Sequence, residues 1–549
     1  MSEVDSSIVS GAVDQPLLEM TIGDALRKAA ARFPDNDALV SVFQNQRISY
    51  SNLDREADRV AYALLSMGVQ TGDRVAIWSA NRAEWLIAHH GAVRIGAIVV
   101  TVNPALRKEE ATFVLHDSGA KIVFASRAFR GFSFADVLEE ARAKLPELHE
   151  IVYFDDGATG INWSDFLTSG QRNSSELEAR INAVDYSLAC SLQYTSGTTG
   201  KPKGALLTHH NILNNGHFVG ERQSLTSSDR ICLPVPFFHC FGVVLGALAA
   251  VTHGSCIVLP GESFDPKTAL DTIQNEKCTS FYGVPMMYIS LIAHPDTAST
   301  DVSTLRTGCM GGAPCPIETM RQAVDVLNMR DITIAYGMTE TSPISFQTMP
   351  DDSNEVRVTT VGRIHPHIEA KIVDPATGEV SARGAAGELC IRGYSVMREY
   401  WRNPLGTKEA IKDGWMHTGD LAVMRPDGYV QIVGRIKNTI IRGGENIYPR
   451  EVEEFLLTLP PVSDAYVFGV PDEKYGEEAC VWIKLKANAD IAPEQIRALC
   501  KGKIATFKIP KYVRFVDSFP TTASGKVQYY KMREAELDLS QNERRSAPP

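Results

Sequence analysis

Hydrophobic positions in the first 125 residues alternate between two periodicities. Apolar residues from Leu53 to Leu65 follow the spacing of one helix face, and Ser51 with Asp54 predicts a capping box at its start. Short apolar runs then alternate with helical patterns. The predicted strands are Val75–Trp78, Ile98–Val102 and Ile122–Ala125, with a helix over Lys108–His116. This alternation predicts an α/β fold of largely parallel sheets covered by helices on both faces.

The pattern changes towards the carboxyl terminus. Short strand-like runs at Gly387–Val396 and Gly428–Ile441, with a tight turn at 426–428, predict antiparallel pairing and a small β-barrel-like section. Beyond Lys437 a compact α+β pattern begins. Its predicted helices are Pro449–Leu457 and Pro493–Lys501, and its predicted strands are Ala465–Val470 and Ala479–Lys484. We therefore predict a large domain, 1–436, and a smaller one, 437–549.

Composition is that of an ordinary globular protein. Apolar residues make up 44% and charged residues 22% of the 549 residues, which excludes wholesale disorder. The net charge of −11 argues against a general nucleic-acid binder, because that function needs a basic face. The ten cysteines form no CxxC pair and no His/Cys cluster at zinc-finger spacing. They are interpreted as reduced packing groups, and a structural zinc is not expected.

The amino-terminal segment shows no recognisable targeting pattern. The amino-terminal MSEVDSS lacks the basic and apolar regions of a signal peptide and the arginines of a mitochondrial presequence. The longest apolar run, Phe241–Val251, is shorter than the roughly 20 residues that a membrane-spanning helix needs. We expect a cytoplasmic protein without a transmembrane segment. Peripheral membrane contact stays open, as does the choice between monomer and homodimer.

The segment YTSGTTGKPKG, Tyr194–Gly204, has the composition of a polyphosphate-binding loop between two strands. Its glycines let backbone N–H groups approach anionic oxygens, its hydroxyls donate hydrogen bonds and its lysines neutralise charge. It is not a Walker A loop, because Thr195 stands where that motif needs glycine and Pro202 where it needs Ser or Thr. Taken alone, the segment has a polar hairpin as its alternative interpretation.

Seven segments, in order, resemble the adenylate-forming superfamily, which contains acyl-CoA synthetases, adenylation domains and luciferases. They are YTSGTTGKPKG, PFFHCFG (Pro236–Gly242), GGAP (Gly311–Pro314), YGMTE (Tyr336–Glu340), HTGD (His417–Asp420), GRIKNTIIRGGENIYPREVE (Gly434–Glu453) and PTTASGK (Pro520–Lys526). The resemblance covers nearly the whole chain. It implies an AMP- and acyl-binding large domain, and a mobile smaller domain that carries a catalytic lysine.

The resemblance also implies a two-step reaction. A carboxylate attacks the α-phosphate of ATP to give acyl-AMP and pyrophosphate, and the thiol of CoA then displaces AMP. By family position Lys526, Glu340 and Thr339 are catalytic, and the last two would hold Mg²⁺ through hard oxygen ligands. The residues implied in ATP and AMP binding are Thr195, Ser196, Gly197, Thr198, Thr199, Gly200, Lys201, Lys203, Gly312, Ala313, Pro314, Tyr336, Gly337, Met338, Thr339, Asp420, Ile432 and Arg435.

The resemblance places an interdomain hinge at Lys437. A rotation there would remove Lys526 after adenylate forms and bring Gly443 and Gly444 beside a tunnel for the CoA thiol. Family members often carry an acidic residue directly after the hinge lysine, whereas this chain has Asn438. The resemblance therefore implies no salt bridge between Lys437 and the residue that follows it.

The acyl pocket is predicted from apolar and aromatic residues. Amino-acid-activating relatives carry an Asp in the PFFHCFG window to pair the substrate ammonium, and this chain has none. His239 is interpreted as a pocket-lining or gating residue. A Cys240–His239 nucleophile is discounted because adjacent strand residues point to opposite faces. The predicted pocket residues are Phe238, His239, Phe241, Gly242, Tyr282 and Val284.

The sequence therefore predicts an AMP-forming fatty acyl-CoA synthetase, acting on a medium- or long-chain acid with ATP and CoA. The chain-length preference is drawn from the resemblance of RGYSVMREYW, Arg392–Trp401, to bacterial-type fatty acyl-CoA synthetases. An acyl- or aryl-adenylate enzyme with another acid, a carrier-protein thiol as acceptor, or a luciferase-like oxidation is the alternative. A nucleotide-binding protein without catalysis is a further one.

Overall fold

The computed structural model describes residues 6–170, 173–195, 202–443, 445–472, 474–521 and 527–546, with the backbone alone at 446 and 540–546. The chain divides into two compact units. The larger unit is formed by Val9–Ala370 and Ile391–His417. The smaller unit is formed by the described parts of Met1–Ile8, Lys371–Cys390 and Thr418–Pro549. The domain boundary predicted at 436/437 falls inside the smaller unit and stays a prediction.

Strands and helices alternate from the amino terminus to residue 364. The strands are β1 (Ile8–Ser10), β2 (Asp37–Ser41), β3 (Gln46–Ser49), β4 (Arg74–Trp78), β5 (Ile98–Val102), β6 (Ile122–Ala125), β7 (Ala128–Phe129), β8 (Phe132–Ser133), β9 (Glu150–Tyr153), β10 (Ile161–Asn162), β11 (Ala189–Thr195), β12 (Lys203–Thr208), β13 (Arg230–Cys232), β14 (Cys256–Leu259), β15 (Ser280–Gly283), β16 (Thr307–Gly311), β17 (Asp331–Gly337), β18 (Ile344–Gln347) and β19 (Arg363–Ile364). The helices are α1 (Ile22–Arg32), α2 (Tyr50–Ser66), α3 (Ala83–Arg94), α4 (Lys108–Ser118), α5 (Phe134–Ala141), α6 (Trp163–Ser169), α7 (Ser174–Asn182), α8 (His209–Arg222), α9 (Ala249–His253), α10 (Pro266–Asn275), α11 (Pro285–Ala293), α12 (Ile317–Asp325) and α13 (Asn354–Thr359).

Strands are more frequent in the remainder of the chain. They are β20 (Ile368–Val373), β21 (Ala386–Gly393), β22 (Glu399–Tyr400), β23 (Ile411–Lys412), β24 (Trp415–Met424), β25 (Val430–Arg435), β26 (Ile440–Arg442), β27 (Glu445–Ile447), β28 (Val462–Asp472), β29 (Gly476–Leu485) and β30 (Tyr512–Phe515). The helices are α14 (Pro404–Ala410), α15 (Pro449–Leu457), α16 (Pro493–Cys500) and α17 (Tyr529–Ser546).

An eight-stranded sheet in the larger unit has the order β10-β9-β6-β4-β5-β11-β12-β22. Its first six strands are parallel, and β12 and β22 extend it antiparallel. Every residue of β5 and β6 is buried. Continuous apolar strands of this kind are found where helices cover both faces of a parallel sheet. The predicted strands and the predicted fold class are thus confirmed here.

A nine-stranded sheet in the same unit has the order β19-β18-β17-β16-β15-β13-β14-β2-β3. Its central strands, from β17 to β2, are parallel. The two ends are closed by the antiparallel pairs β17–β18, β18–β19 and β2–β3. Helices pack against this sheet, and Leu270 of α10 shares a buried apolar cluster with Phe281 of β15 and Met310 of β16. A parallel sheet of this type presents the carboxyl ends of its strands along one edge, where ligands bind in α/β proteins.

Helix α2 shows where the predicted capping was wrong. The sequence pattern places a capping box at Ser51 with Asp54. In the structure Ser49 is the N-cap, and its hydroxyl accepts a hydrogen bond from the N–H of Asn52. Because Ser stands at both positions, the pattern has two solutions, and the antiparallel β2–β3 pair fixes the helix start two residues earlier.

The antiparallel pairs β23–β24, β24–β25, β26–β27 and β28–β29 confirm the predicted change in pairing, whereas β29 and β30 pair in parallel. A six-stranded sheet has the order β1-β20-β21-β24-β23, with β25 paired antiparallel to β24 through the turn at 426–428. In the smaller unit, a five-stranded sheet has the order β27-β26-β29-β28, with β30 paired to β29. Helix α15 has the predicted bounds, and α16 ends one residue before its predicted end. Their apolar faces bury Val452, Leu456 and Ile496 against this sheet.

Candidate active site

Four parallel strands of the nine-stranded sheet end side by side. The order β17-β16-β15-β13 makes them consecutive neighbours. Each is followed by one of the segments singled out in the sequence. These segments are Met338–Glu340 after β17, Gly312–Pro314 after β16, Val284 after β15 and Pro236–Gly242 after β13. The topology therefore gathers four predicted nucleotide and acyl segments at one sheet edge, although they lie up to about a hundred residues apart in sequence.

Two glycines at this edge are required by close backbone contact. A Cβ at Gly337 would lie 1.7 Å from the carbonyl oxygen of Pro343, and a Cβ at Gly242 would lie 2.2 Å from that of Pro236. Neither backbone atom can move away as a flexible side chain would. These positions of the YGMTE and PFFHCFG segments thus exclude every larger residue.

Strands β11 and β12 hold the base of the predicted phosphate loop. Their antiparallel register pairs Thr195 with Lys203, and the hydroxyl of Thr195 also lies 3.4 Å from the Lys203 carbonyl. This confirms the prediction that the loop joins two strands. The predicted loop residues Ser196, Gly197, Thr198, Thr199, Gly200 and Lys201 lie outside the described residues.

Glu340 is the best-defined side chain of the site. It lies in a 3-10 turn, Thr339–Thr341, and is 6% exposed. Its Oε1 accepts hydrogen bonds from the hydroxyl of Tyr400 at 2.8 Å and from that of Thr195 at 3.3 Å. It has no ion-pair partner among the residues that the structure describes. A buried carboxylate whose donors are neutral hydroxyls creates a site that attracts a cation.

Tyr400 was not among the predicted site residues. Burial, with Glu340 beside it, raises the pKa of the Tyr400 phenol, so the hydroxyl remains a donor at physiological pH. Its ring also lies under the ammonium of Lys203, with Nζ 5.2 Å from the ring centroid. The sequence signal was present in the run Arg392–Trp401, which the sequence argument used only for chain length.

The segment Pro236–Gly242 does not have the strand conformation expected for His239 and Cys240. Cys240 was excluded as a nucleophile on the assumption that it follows His239 on a strand. The structure instead has a turn that leads into a π-helical segment, Phe241–Leu248. Nδ1 of His239 accepts the N–H of Phe241 at 3.1 Å, and Sγ of Cys240 lies 3.7 Å from that nitrogen and 3.8 Å from the Thr339 hydroxyl. The lone pair that a base would need is engaged in a backbone hydrogen bond.

The predicted acyl-pocket residues come from two neighbouring parts of the sheet edge. Phe241 is buried, and its ring centroid lies 6.2 Å from that of Tyr282 on β15. Val284 follows β15, and its Cγ1 would lie 3.4 Å from a Cβ at Gly312. Phe238 lies beside His239 with perpendicular rings. The structure thus brings Val284 next to the GGAP segment and Phe241 next to Tyr282.

The residues predicted around adenine follow two adjacent strands. Gly312 has φ +85°, the left-handed region that favours glycine. It is exposed, as are Ala313 and Pro314 after it. Tyr336 is half-buried on β17, followed by Gly337 and Met338. The two segments are thus aligned by the parallel pairing of β16 and β17.

In the smaller unit, β24 and β25 place Asp420 opposite Arg435. Asp420 is 4% exposed, and its Oδ1 lies 2.7 Å from Nε of Arg435, whose guanidinium is half-exposed. Ile432 lies on β25, and Lys437 lies in the 3-10 turn Ile436–Asn438 directly after it. Burial, and then Arg435, lower the pKa of Lys437. Gly443 has φ +58°, whereas Gly444 and Lys526 lie outside the described residues.

Two family models match this chain. The model described as "AMP-binding enzyme" matches residues 26–401, and the model described as "AMP-binding enzyme C-terminal domain" matches residues 451–526. The first alone covers more than half of the 549 residues. The chain belongs to the AMP-binding enzyme family. The family resemblance inferred from the seven segments is thereby confirmed.

Relatives within the AMP-binding enzyme family are similar over nearly the full length. The protein YngI of Bacillus subtilis (strain 168) is 46% identical over 540 residues, which are 95% of this chain and 98% of YngI. The mitochondrial medium-chain acyl-CoA ligase ACSF2 of Danio rerio is 41% identical over 551 residues, 96% of this chain and 90% of ACSF2. The crystal structure of ATP-bound MatB from Rhodopseudomonas palustris superposes with a TM-score of 0.82 at 29% identity, covering 95% of this chain and 100% of MatB.

The two family models cover different parts of the fold. The AMP-binding model spans every strand of the two large sheets, from β2 to β22. The model of the C-terminal domain spans α15 to β30 and ends at position 526.

Among the described residues, no helix has both the length and the apolar character needed to cross a membrane.

Proposed function

We propose that this member of the AMP-binding enzyme family is an AMP-forming acyl-CoA synthetase that activates a medium- or long-chain fatty acid. The acid and ATP give acyl-AMP and pyrophosphate, and CoA then takes the acyl group and releases AMP. Two independent observations support this proposal. Four predicted nucleotide and acyl segments lie at one edge of the nine-stranded sheet, and a relative that is 41% identical is named as a medium-chain acyl-CoA ligase. A cytoplasmic location and a monomer or homodimer remain predictions.

The contact between Thr195 and Glu340 is the observation that supports the proposal most. It joins the base of the phosphate loop, on the eight-stranded sheet, to the YGMTE segment at the edge of the nine-stranded sheet. Both segments belong to the larger unit. This contact supports a phosphate site for ATP beside the segments proposed for adenine and for the acyl chain.

The reaction has an electrostatic difficulty that the site residues address. A carboxylate must approach the polyphosphate, and two unit charges about 4 Å apart repel by about 4 kcal/mol at an effective dielectric constant of about 20. That repulsion equals about three decades in rate. In this proposal the side chains of Lys203, Lys201 and Lys526 supply the positive charge that offsets the repulsion.

The surroundings of Glu340 fit Mg²⁺. The carboxylate is buried, its Oε1 accepts two neutral hydroxyls, and it has no ion-pair partner among the described residues. Glu340 would hold the ion with the hydroxyl of Thr339, since Mg²⁺ prefers such oxygen ligands. When bound, Mg²⁺ neutralises and orients phosphate oxygens. The protein residues position those ligands through the Tyr400 and Thr195 hydroxyls.

Asp420 and Arg435 are proposed to bind the ribose. A carboxylate accepts two hydroxyl donors well, and Asp420 is held in place by its strand pairing. The guanidinium of Arg435 is half-exposed, so it can contact ribose or phosphate as well. Gly312–Pro314 and Tyr336 are proposed to enclose adenine.

The second half-reaction is assigned to the smaller unit. Lys437 is proposed as the hinge, which would replace Lys526 by Gly443 and Gly444 beside the CoA thiol. A 3-10 turn of three residues, Ile436–Asn438, separates β25 from β26. Short connections of this kind absorb the backbone rotations of hinge motions.

A substrate panel tests the proposal. Pyrophosphate release would be measured with short-, medium- and long-chain fatty acids and with aryl acids, each with and without CoA. We expect the largest release with medium- or long-chain acids, and an acyl-CoA product when CoA is present. Pyrophosphate without thioester would favour a carrier-protein acceptor or an oxidative reaction. Absence of acid-dependent ATP–pyrophosphate exchange would overturn the enzymatic assignment.

The division of labour between the two half-reactions is tested by Lys526→Ala. We expect loss of adenylate formation by more than about 100-fold, because an uncompensated charge pair costs several kcal/mol, with thioester formation from supplied acyl-AMP retained. Lys531→Ala is the matched control, an exposed lysine at the start of α17. Equal loss of both half-reactions in a folded Lys526→Ala protein would contradict the assignment.

A further inference from the structure

A second group of ligand-type side chains lies in the larger unit, on helices that carry no predicted nucleotide residue. His217 and Glu221 are four residues apart on α8, and His253 is the last residue of α9. One ligand atom from each of the three side chains lies within 4.8 Å of the others. Residues four apart share one helix face, and the packing of α9 on α8 adds the third side chain.

The hydrogen bonds of His253 decide which of its ring nitrogens faces the group. Nδ1 lies 2.9 Å from the carbonyl oxygen of Ala249 and 3.0 Å from the hydroxyl of Thr252. The Thr252 hydroxyl itself donates to backbone carbonyls of the preceding turn. Since a carbonyl only accepts, Nδ1 carries the proton and donates it. The Nε2 of a neutral His253 therefore presents a lone pair.

That lone pair points at another acceptor. Nε2 of His253 lies 3.1 Å from Oε1 of Glu221. Two acceptors at this distance repel unless a proton or a cation lies between them. The ring of His217 stacks on that of His253 with centroids 5.3 Å apart, and His217 offers a further ligand nitrogen to the group. Its Nδ1 is buried and has no hydrogen-bond partner among the described residues.

The backbone makes room for this arrangement at Gly220. A Cβ at that position would lie 2.4 Å from Cε1 and 2.6 Å from Nδ1 of His253. Only glycine allows the imidazole to lie this close to α8, between His217 and Glu221. The close approach is thus built into the helix sequence HFVGE, residues 217–221.

We propose that His217, Glu221 and His253 form a binding site for a divalent transition-metal ion, Zn²⁺ above all. Two imidazoles and one carboxylate form a ligand set that Zn²⁺ uses when a fourth position is left for water. The 3.1 Å separation of two of the ligand atoms agrees with metal–ligand distances of about 2.0–2.2 Å. The Nδ1–H bond to a backbone carbonyl is the outer contact that orients metal-binding histidines.

The site has an entry path and a structural consequence. The Glu221 side chain is 41% exposed, whereas that of His253 is 7% exposed, so an ion would enter from the side of the carboxylate. The ion would join the end of α8 to the end of α9. Helix α9 continues the π-helical segment that begins at Phe241. The expectation that the chain has no structural zinc considered only cysteine-containing spacings, and it did not consider residues 32 positions apart.

Zinc binding to the full chain tests this proposal. The purified protein would be dialysed against a chelator and titrated with Zn²⁺ alone, without nucleotide, by calorimetry and by metal analysis after gel filtration. We expect the natural chain to bind one more Zn²⁺ per chain than the Glu221→Gln protein, or to bind that ion at least about tenfold more tightly. Zn²⁺ should also raise the melting temperature of the natural chain and not that of the variant.

Glu221→Gln is chosen because the residue is exposed, so the variant keeps the fold. The matched control is His116→Asn, which removes an exposed helical histidine of α4 and should bind Zn²⁺ as the natural chain does. Gly220→Ala is a second variant and should weaken binding by displacing His253. Equal Zn²⁺ binding by the natural chain and Glu221→Gln would overturn the proposal, as would no binding at micromolar Zn²⁺.

Discussion

Two buried carboxylates, one in each unit, are stabilised in opposite ways. Glu340 in the larger unit is 6% exposed and accepts hydrogen bonds from the hydroxyls of Tyr400 and Thr195. Asp420 in the smaller unit is 4% exposed and pairs with the guanidinium of Arg435 at 2.7 Å. The first has neutral donors, and the second has a cation.

This difference indicates what each carboxylate is suited to bind. Burying an anion is costly unless a cation or strong donors compensate it. Glu340 has donors and no ion-pair partner in the described residues, so a metal ion gains the full attraction of its charge. Asp420 is already compensated by Arg435, so it is suited to neutral hydroxyl donors such as those of a ribose.

The largest expected effect is that of Glu340→Gln. The amide keeps an oxygen that accepts hydrogen bonds from the Tyr400 and Thr195 hydroxyls, but it loses the charge that we propose attracts Mg²⁺. We expect acid-dependent ATP–pyrophosphate exchange to fall more than about 100-fold, because metal stabilisation of developing charge is worth several kcal/mol. The measurement is exchange as a function of Mg²⁺ concentration.

The control for this variant is Glu318→Gln, an exposed glutamate of α12 in the same unit. It should leave both the exchange rate and the Mg²⁺ dependence unchanged. If Glu340→Gln retained the natural rate at the natural Mg²⁺ concentration, the contrast between the two carboxylates would have no functional meaning.

A third carboxylate, Glu453 on α15 of the smaller unit, extends the comparison. Its Oε1 accepts the N–H of Val467 at 2.8 Å and the hydroxyl of Tyr529 at 3.1 Å. Like Glu340, it has no ion-pair partner among the described residues. Burial raises the pKa of Glu453 to about 7. The folded chain therefore keeps this proton between about pH 4.5 and 7, whereas the unfolded chain has lost it.

Stability must consequently fall as the pH rises through that window. The raised pKa of Glu453 lowers the free energy of unfolding by about 3 kcal/mol at pH 8 and leaves it unchanged near pH 4. Glu453→Gln should therefore be more stable than the natural chain at pH 8 and equally stable near pH 4, measured by denaturant unfolding. Glu454→Gln, the exposed neighbour on α15, should show no such pH-dependent gain, and a gain in both variants would contradict the burial argument.

Asp420→Asn tests the carboxylate that has a cation. The amide cannot hold two hydroxyl donors as a carboxylate does, and hydrogen bonds to a charged group are worth about 1.5–3 kcal/mol. We expect the KM for ATP to rise about tenfold or more, with little loss of stability because Arg435 is half-exposed. The control is Asp427→Asn, whose carboxylate pairs with Arg425 in the exposed β24–β25 turn. An unchanged KM in Asp420→Asn would contradict the ribose assignment.

The parts of the fold that the sequence predicted well are those with a single physical solution. The buried runs Ile98–Val102 and Ile122–Ala125 indicate central strands, because they are short and consist of apolar and β-branched residues. The start of α2 has two possible caps, Ser49 and Ser51, and the prediction at Ser51 is wrong. The π-helical segment Phe241–Leu248 was missed since its apolar run carries no periodicity and π-helices are rare.

The candidate site follows the same rule. Segments such as YGMTE and GGAP are local, so the sequence could point to Glu340 and Gly312. Tyr400 was missed because it reaches Glu340 across sixty residues of chain. Its contact depends on the pairing of β22 with β12, which joins segments nearly two hundred residues apart and has no local signature.

The smallest expected effect is that of Tyr400→Phe, which removes one neutral donor from Glu340 and leaves the carboxylate charge intact. We expect the free energy of unfolding to fall by about 1 kcal/mol, because one hydrogen bond is lost. A carboxylate with fewer donors attracts a cation more strongly, so we expect the exchange reaction to require less Mg²⁺. The exchange rate should change by at most a few-fold. Tyr50→Phe is the control: its buried hydroxyl donates to two backbone carbonyls, at Ala250 and Ser255, so it should lose similar stability without altering the Mg²⁺ dependence. A Tyr400→Phe protein whose exchange falls as far as that of Glu340→Gln would show that the hydroxyl, and not the charge, is what the reaction needs from this pair.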